Sequence, residues 1–242
     1  MRIDKVYILA LNADQQKIDE IQSKLDACGF EDRIECEILP GHDGWNEPIP
    51  EGVTVYEGYG LGEATDNPHW KLPVQPGEIG CTISHINAWK RVAEGDEERC
   101  LILEEDFVPL KPLSELPEPN PNWPFVWDFL SLGRWVLDYN DDIRIDSIYS
   151  IPSRHYNMQA YVLTKTGGQK LVDYKLEERL FINDEFISAT YMRHPRPDIE
   201  ALFPVKTITA IATHVDWFNQ DGSPTLVSSH SPQGSPDSRY AT

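Results

Sequence analysis

Long hydrophobic runs and positive charge are what this chain has least of. No stretch of its 242 residues approaches the length of a membrane-spanning helix, which sets a helical membrane span aside. Only 21 lysines and arginines face 40 aspartates and glutamates, leaving a formal net charge of −19. Such a field repels polyanions, so general nucleic-acid binding is not expected. A small anionic substrate would need a metal ion or a local basic group beside it. Cysteine is sparse as well. Cys28, Cys36, Cys81 and Cys100 show neither CxxC nor metal-ligand spacing, which predicts reduced thiols in a cytosol-like compartment. Met1 to Leu11 has one short apolar run and no small-residue cleavage site, which predicts no signal peptide and a cytoplasmic location. With 40% apolar residues the chain can bury a sizeable core. One domain over residues 1–228 is expected, followed by a flexible Ser/Pro-rich tail at 229–242.

The most informative stretch is Leu101-Ile-Leu-Glu-Glu-Asp106. Its apolar half reads as a buried strand. Its three carboxylates would then emerge at the strand's carboxyl end, where open α/β sheets bind ligands. Alternation along a strand points Glu104 and Asp106 one way and Glu105 the other. Two converging carboxylates repel unless a cation sits between them, and Mg²⁺ or Mn²⁺ on substrate phosphates needs only one or two such ligands. An acidic, solvated loop is the competing reading.

Strands are expected at Lys5–Leu11, Ile34–Leu39, Cys100–Leu103, Phe125–Leu132, Gln159–Leu163 and Thr207–Thr213. Helices are expected after Asp14, over Gly80–Val92, from Thr166 through Tyr174, and over Asn183–Met192. His42 to Gly77 is polar and rich in turn residues, a loop or mobile lid over the active face. Pro109 to Pro124 is too Pro-rich for regular structure. Strands alternating with helices give an α/β fold with a central mixed, mostly parallel sheet flanked by helices.

Several segments occur in a specific order: Gly77-Glu-Ile-Gly-Cys-Thr-Ile-Ser-His85 followed by Trp89, then Leu101–Asp106, Trp127-Asp-Phe-Leu-Ser-Leu-Gly133, Ala160 through Gly168, Asp184-Glu-Phe186, and Thr213-His214. Together they resemble glycosyltransferase family 25, which includes lipopolysaccharide-type and procollagen galactosyltransferases. The Asp184-Glu-Phe186 segment with His194-Pro195 is closest to the procollagen branch. The resemblance implies a GT-A-type nucleotide-sugar-binding fold, a UDP-sugar donor, Mn²⁺ (or Mg²⁺) dependence, and inverting transfer of a hexose, galactose or glucose foremost, to a hydroxyl. The acceptor would be a saccharide or a hydroxylated side chain. The chain departs from the family after Asn12, where an Arg-rich run is replaced by Ala-Asp-Gln-Gln-Lys-Ile-Asp19, and it reads Glu-Glu-Asp where Glu-Asp-Asp is more usual.

Candidate roles follow. Glu104 and Asp106 are metal and diphosphate ligands, or Glu104 orients a loop instead. His214, after a β-branched strand, completes the metal site or bonds backbone. Asp184 or Glu185, at a helix start, is the general base; favourable placement at the helix dipole is the competing explanation. Asn12, Ser84, His85 and Glu105 are donor-binding candidates, against Ser84 bonding its own helix and His85 packing beside the core residue Trp89. Arg134 is a lone candidate for acceptor or diphosphate. A catalytically silent sugar- or protein-binding module is the alternative function, and a metal-dependent phosphohydrolase fails to account for the other segments.

Overall fold

The computed structural model describes residues 1–30, 34–61, 70, 72–137 and 142–221. The expected tail at 229–242 lies outside these residues, as does much of the centre of the expected lid.

The first strand, β1 (Lys5–Ala10), is buried along its whole length, as a run with apolar residues on both faces requires. Asp14 then caps α1 (Gln15–Ala27), its carboxylate accepting the Lys17 N–H at 2.9 Å. Ile21 and Leu25 face inward, whereas Ile18 is half exposed, so the buried stripe is narrower than the sequence suggests. Gly29, at φ 61°, takes the left-handed position after the helix. β2 (Glu35–Pro40) returns parallel to β1.

Helix α2 (Pro76–Glu94) begins four residues before the expected start. Pro76 opens the helix, and Gln75 and Glu78 form a reciprocal capping box, so the start signal lies ahead of the apolar periodicity. β3 (Arg99–Glu104) follows, then the short β4 (Phe107–Pro109). The expected strand Phe125–Leu132 contracts to β5 (Phe129–Ser131). Val126 is 84% exposed, and the Asp128 N–H bonds the Thr209 carbonyl. Small strands not anticipated from sequence occupy the next stretch: β6 (Trp135–Val136), β7 (Ile143–Arg144), β8 (Tyr149–Ile151) and β9 (His155–Tyr156). Two or three residues are too few to display a period of two. β10 (Ala160–Thr164) leads through the Thr164 cap into α3 (Lys165–Asp173). α4 (Asn183–Tyr191), α5 (Pro197–Leu202), β11 (Ala210–Thr213) and β12 (Phe218–Gln220) complete the order.

Eight strands form one sheet in the order β2-β1-β3-β10-β5-β11-β8-β7. The pairings fix their directions. β10 and β8 run opposite to the other six, so the sheet is mixed, as expected, but not mostly parallel: three neighbouring pairs are parallel and four antiparallel, because each reversed strand lies between two of opposite direction. β1, β2 and β3 therefore end on the same edge.

Alternation sorts the core into two layers. Tyr7, Cys100, Ile102, Tyr161 and Leu163 pack under α2, α3 and α4, while Val6, Ile8, Leu101, Leu103 and Val162 pack under α1. Trp89 of α2 is buried as expected and donates its indole N–H to the Tyr161 hydroxyl at 2.9 Å, satisfying the one polar atom a buried tryptophan brings.

Candidate active site

The carboxyl ends of β1 and β3 and the first turns of α2 border an open cleft. It is lined by Leu9 and Leu11, residues 41–45, Gly77, Cys81, Ser84 and His85, and Glu104 through Asp106. The loop after β2 lies directly on α2. A Cβ on Gly44 would sit 1.8 Å from the Pro76 carbonyl oxygen, and one on Gly80 would sit 2.3 Å from the His42 carbonyl oxygen. Both glycines are needed for close approach of backbones. Gly80→Ala is accordingly expected to force loop and helix apart, costing about 1–3 kcal/mol in urea unfolding. The wall that Ser84 ties down is displaced in the process. The Ser84 hydroxyl accepts the His42 N–H at 2.9 Å and donates to the Gly80 carbonyl at 2.8 Å. Ser84 thus bonds its own helix, as the competing reading holds, and also anchors the loop that lines the cleft.

Glu104 ends β3 on the α2 face. Its Oε1 lies 3.0 Å from His85 Nε2, and His85 Nδ1 lies 2.9 Å from the Tyr161 hydroxyl. Trp89 donates to that hydroxyl, so the hydroxyl proton is free to go to Nδ1, and Nε2–H then donates to the carboxylate. His85 is fully buried and is nevertheless more than core filling, because it fixes the orientation of Glu104. Glu105 emerges on the opposite face, as alternation predicts, with its Oε2 3.9 Å from Lys17 Nζ. Burial pushes its carboxyl up from the ordinary range. Lys24 donates to the Glu105 carbonyl and pairs with Asp221. Although the family's basic run is thinned, α1 still carries two ammonium groups to this edge.

Asp106 is buried, and its Oδ1 has no hydrogen-bond partner among the described residues. Burial first, then the charges of Glu104 and Asp221, push its carboxyl up to about 7. A buried acceptor without a donor is costly unless a ligand or ion satisfies it.

Asp184 and Glu185 open α4 and have opposite environments. The Asp184 side chain accepts one hydrogen bond among the described residues, from the Asn157 N–H to Oδ2 at 3.1 Å. Asn157 holds the left-handed φ of 74° that presents this N–H. Burial pushes Asp184 up to about 7, with the Glu104 and Glu185 charges adding to the shift. Glu185 is 1% exposed and saturated. Oε1 accepts from Trp70 Nε1 and from the Tyr156 hydroxyl, both at 2.7 Å, and Oε2 lies 2.8 Å from His194 Nε2. Arg154 donates to both oxygens. Against the burial cost, the His194 hydrogen bond and the Arg154 charge lead in drawing this carboxyl down to about 2.

Other candidates stand apart. Asn12 is exposed and donates to Asp14 rather than lining the cleft. His214 directly follows β11, which lies three strand positions from β3, and its Nε2 lies 3.0 Å from the Asp146 carbonyl oxygen. The structure does not bring it to Glu104 and Asp106; it matches the backbone-bonded alternative. Arg134 is buried against Asp142. Cys81, part of the Gly77–His85 segment but given no role from the sequence, sits in the cleft with His85 and Glu104. Its spacing of four residues from His85 on a helix was the available cue.

The model of the family described as Glycosyltransferase family 25 (LPS biosynthesis protein) matches residues 3–113, from β1 through β4. Procollagen galactosyltransferase 1 of Danio rerio is 24% identical over 223 residues, covering 88% of this chain. The chain is thus similar to glycosyltransferase family 25, through the family model over residues 3–113 and through relatives along most of its length. The inactive glycosyltransferase 25 family member 3 of Mus musculus is also 24% identical, over 219 residues and 88% of the chain. The chain spans about a third of the length of these curated relatives, 35% and 36% respectively. Among solved structures, the galactosyltransferase LgtC in complex with donor and acceptor sugar analogs aligns with 10% identity and a TM-score of 0.38, covering 86% of each chain. Among the described residues no helix is long and apolar enough to cross a membrane.

Proposed function

We propose that this chain is a metal-dependent glycosyltransferase that moves a hexose, galactose or glucose foremost, from a UDP-sugar to an acceptor hydroxyl with inversion. The observation that carries the reading is the set of carboxylates gathered around one strand end. Glu104 is held by His85, Asp106 has an orphaned buried oxygen, and Asp184 lies close enough for the Glu104 charge to raise its pKa.

These residues fit a hard divalent cation. Glu104 and Asp106 supply carboxylate oxygens, and the unpartnered Asp106 Oδ1 is the atom whose burial such an ion would compensate. When bound, the ion neutralises charge on the diphosphate leaving group. The protein supplies the rest. His85 and Tyr161 keep the Glu104 carboxylate aimed into the cleft, Lys17 and Lys24 add positive charge at its rim, and residues 41–45 form its wall. Asp184 takes the acceptor proton. A carboxyl raised to about 7 is a far better proton acceptor than one lowered to about 2, which makes Asp184 the base and Glu185 its structural neighbour.

Nucleotide binding is therefore expected to require a divalent cation. In calorimetry, UDP should bind in the presence of Mn²⁺ and lose at least about tenfold in affinity with excess chelator, a change of about 1.4 kcal/mol or more. Asp106→Asn should abolish the metal-dependent binding while leaving the fold near intact. Equal affinity with and without chelator would remove the metal from the proposal.

A catalytically silent sugar- or protein-binding module is the second reading. It is favoured by relatives named inactive in Mus musculus and probable inactive in Rattus norvegicus. It predicts Mn²⁺-dependent binding of a UDP-sugar with no release of UDP in a panel of donors and saccharide or hydroxylated-peptide acceptors.

A further inference from the structure

The cleft contains two side chains that an oxygen-ligated cation has no need of. Cys81 and His85, four residues apart, stand on one face of α2 and both meet the end of β3. Cys81 Sγ lies 4.0 Å and His85 Nε2 lies 3.0 Å from the same atom, Glu104 Oε1, and the donor atoms of all three residues fall within 4.8 Å of one another. Ligand atoms around a tetrahedral Zn²⁺ stand about 3.3–3.8 Å apart, given Zn–N and Zn–O near 2.0–2.2 Å and Zn–S near 2.3 Å. Small side-chain rotations cover the difference.

The surroundings are those of a supported ligand set. The Tyr161 hydroxyl at His85 Nδ1 can donate or accept, so it holds the imidazole in either tautomer. Asn183 Oδ1 lies 4.0 Å from Cys81 Sγ, and its Nδ2 is buried without a partner among the described residues. All three ligands line the cleft, which gives an ion a route in and leaves a fourth position for water or Asn183. Sulfur and imidazole ligands suit Zn²⁺, whereas Mn²⁺ and Mg²⁺ suit carboxylate and water.

We propose that Cys81, His85 and Glu104 form a binding site for a thiophilic divalent cation, Zn²⁺ foremost, chemically separate from the oxygen site of Glu104 and Asp106. On binding, the Cys81 thiol proton leaves to solvent as the Zn–S bond forms. The imidazole proton shifts from Nε2 to Nδ1, where the Tyr161 oxygen accepts it alongside the Trp89 indole N–H. Glu104 belongs to both sets, so the two kinds of cation compete for it, and a zinc-loaded chain would lack one oxygen ligand for the donor's metal.

The test reads coordination directly and does not depend on sugar transfer. Co²⁺ is titrated into the Cys36→Ser protein, which removes the one exposed thiol. A thiolate-to-Co²⁺ charge-transfer band should saturate at one equivalent, disappear on adding Zn²⁺, and be absent when Cys81→Ser is added. In the unaltered protein, Zn²⁺ should slow alkylation of Cys81 by iodoacetamide several-fold, mapped by mass spectrometry, and Mn²⁺ should not. No band, a band that survives Cys81→Ser, or alkylation indifferent to Zn²⁺ would each overturn the site. Failure of UDP-sugar turnover would count only against the proposed transfer.

Discussion

Asp184→Asn is expected to lower turnover by about 10²–10⁴-fold, the usual worth of a general base, while UDP affinity stays within a few-fold of wild type. The amide keeps the side chain's shape and its bond from Asn157 N–H, so geometry survives and basicity does not. In the wild type the ionised carboxylate is the active form, so turnover should rise with pH through the group's pKa, near 7 without a bound cation. A cation beside Glu104 lowers that midpoint, because positive charge favours ionisation. Stability should move the other way. The folded-state pKa is raised from 3.8, so folding favours the protonated form, and stability is lost as pH climbs from about 4 to about 7. Above that range Asp184→Asn should be more stable than wild type in urea melts, and at acid pH the two should converge. A variant that is inactive but no more stable at pH 8 would contradict the burial account. Turnover within a few-fold of wild type would place the base elsewhere.

Glu185→Ala is expected to cost about 3–5 kcal/mol, enough to unfold a large share of the molecules at moderate temperature. Truncation leaves Arg154 beside Trp70 and Tyr156 without its counter-charge and strands the Trp70 and Tyr156 donors and His194. The pH dependence has a definite sign. The carboxyl is lowered from 4.5 to about 2, so its stabilisation is fully present above about 4.5 and is lost as pH falls through about 2. Urea unfolding of wild type and variant should therefore differ most at neutral pH and converge toward strong acid. Glu185→Gln should lie between them and retain near-normal turnover per folded molecule. A loss below about 1 kcal/mol on truncation would show that the hub contributes little.

The parts of this molecule that were legible in its sequence are those with a repeating signal. β1, β2, β3 and β10 carry four or more apolar residues in phase or in a run, and α1, α3 and α4 carry caps or charged first turns. Each was placed within one or two residues. What escaped was encoded by contacts distant in sequence. β6 to β9 and β12 are two or three residues long and exist because another segment pairs with them. At the site, alternation along β3 placed Glu104 and Glu105 on opposite faces correctly. Sequence could not separate Asp184 from Glu185, because what divides them is a ring of partners from residues 70, 154, 156 and 194. Cys81, though inside the Gly77–His85 segment, was assigned no role; its cue was the helical spacing to His85.

The reversed direction of β10 has a consequence for how the molecule can be altered. β1, β2 and β3 deliver their last residues to the edge that bears the cleft, but β10 delivers its first, so the segment just ahead of it, with Asn157, arrives beside Asp184. Chemistry on this edge is thus written partly into the start of a strand, where a shift of one residue in the preceding hairpin would withdraw the N–H from its carboxylate. The other edge, where α2 turns at Gly95 into β3 and β10 turns at Thr164 into α3, contributes no residue to the cleft. A peptide tag or a tether inserted at residues 95–97 would ride on the back of the molecule, leaving the acidic mouth clear for whatever approaches it.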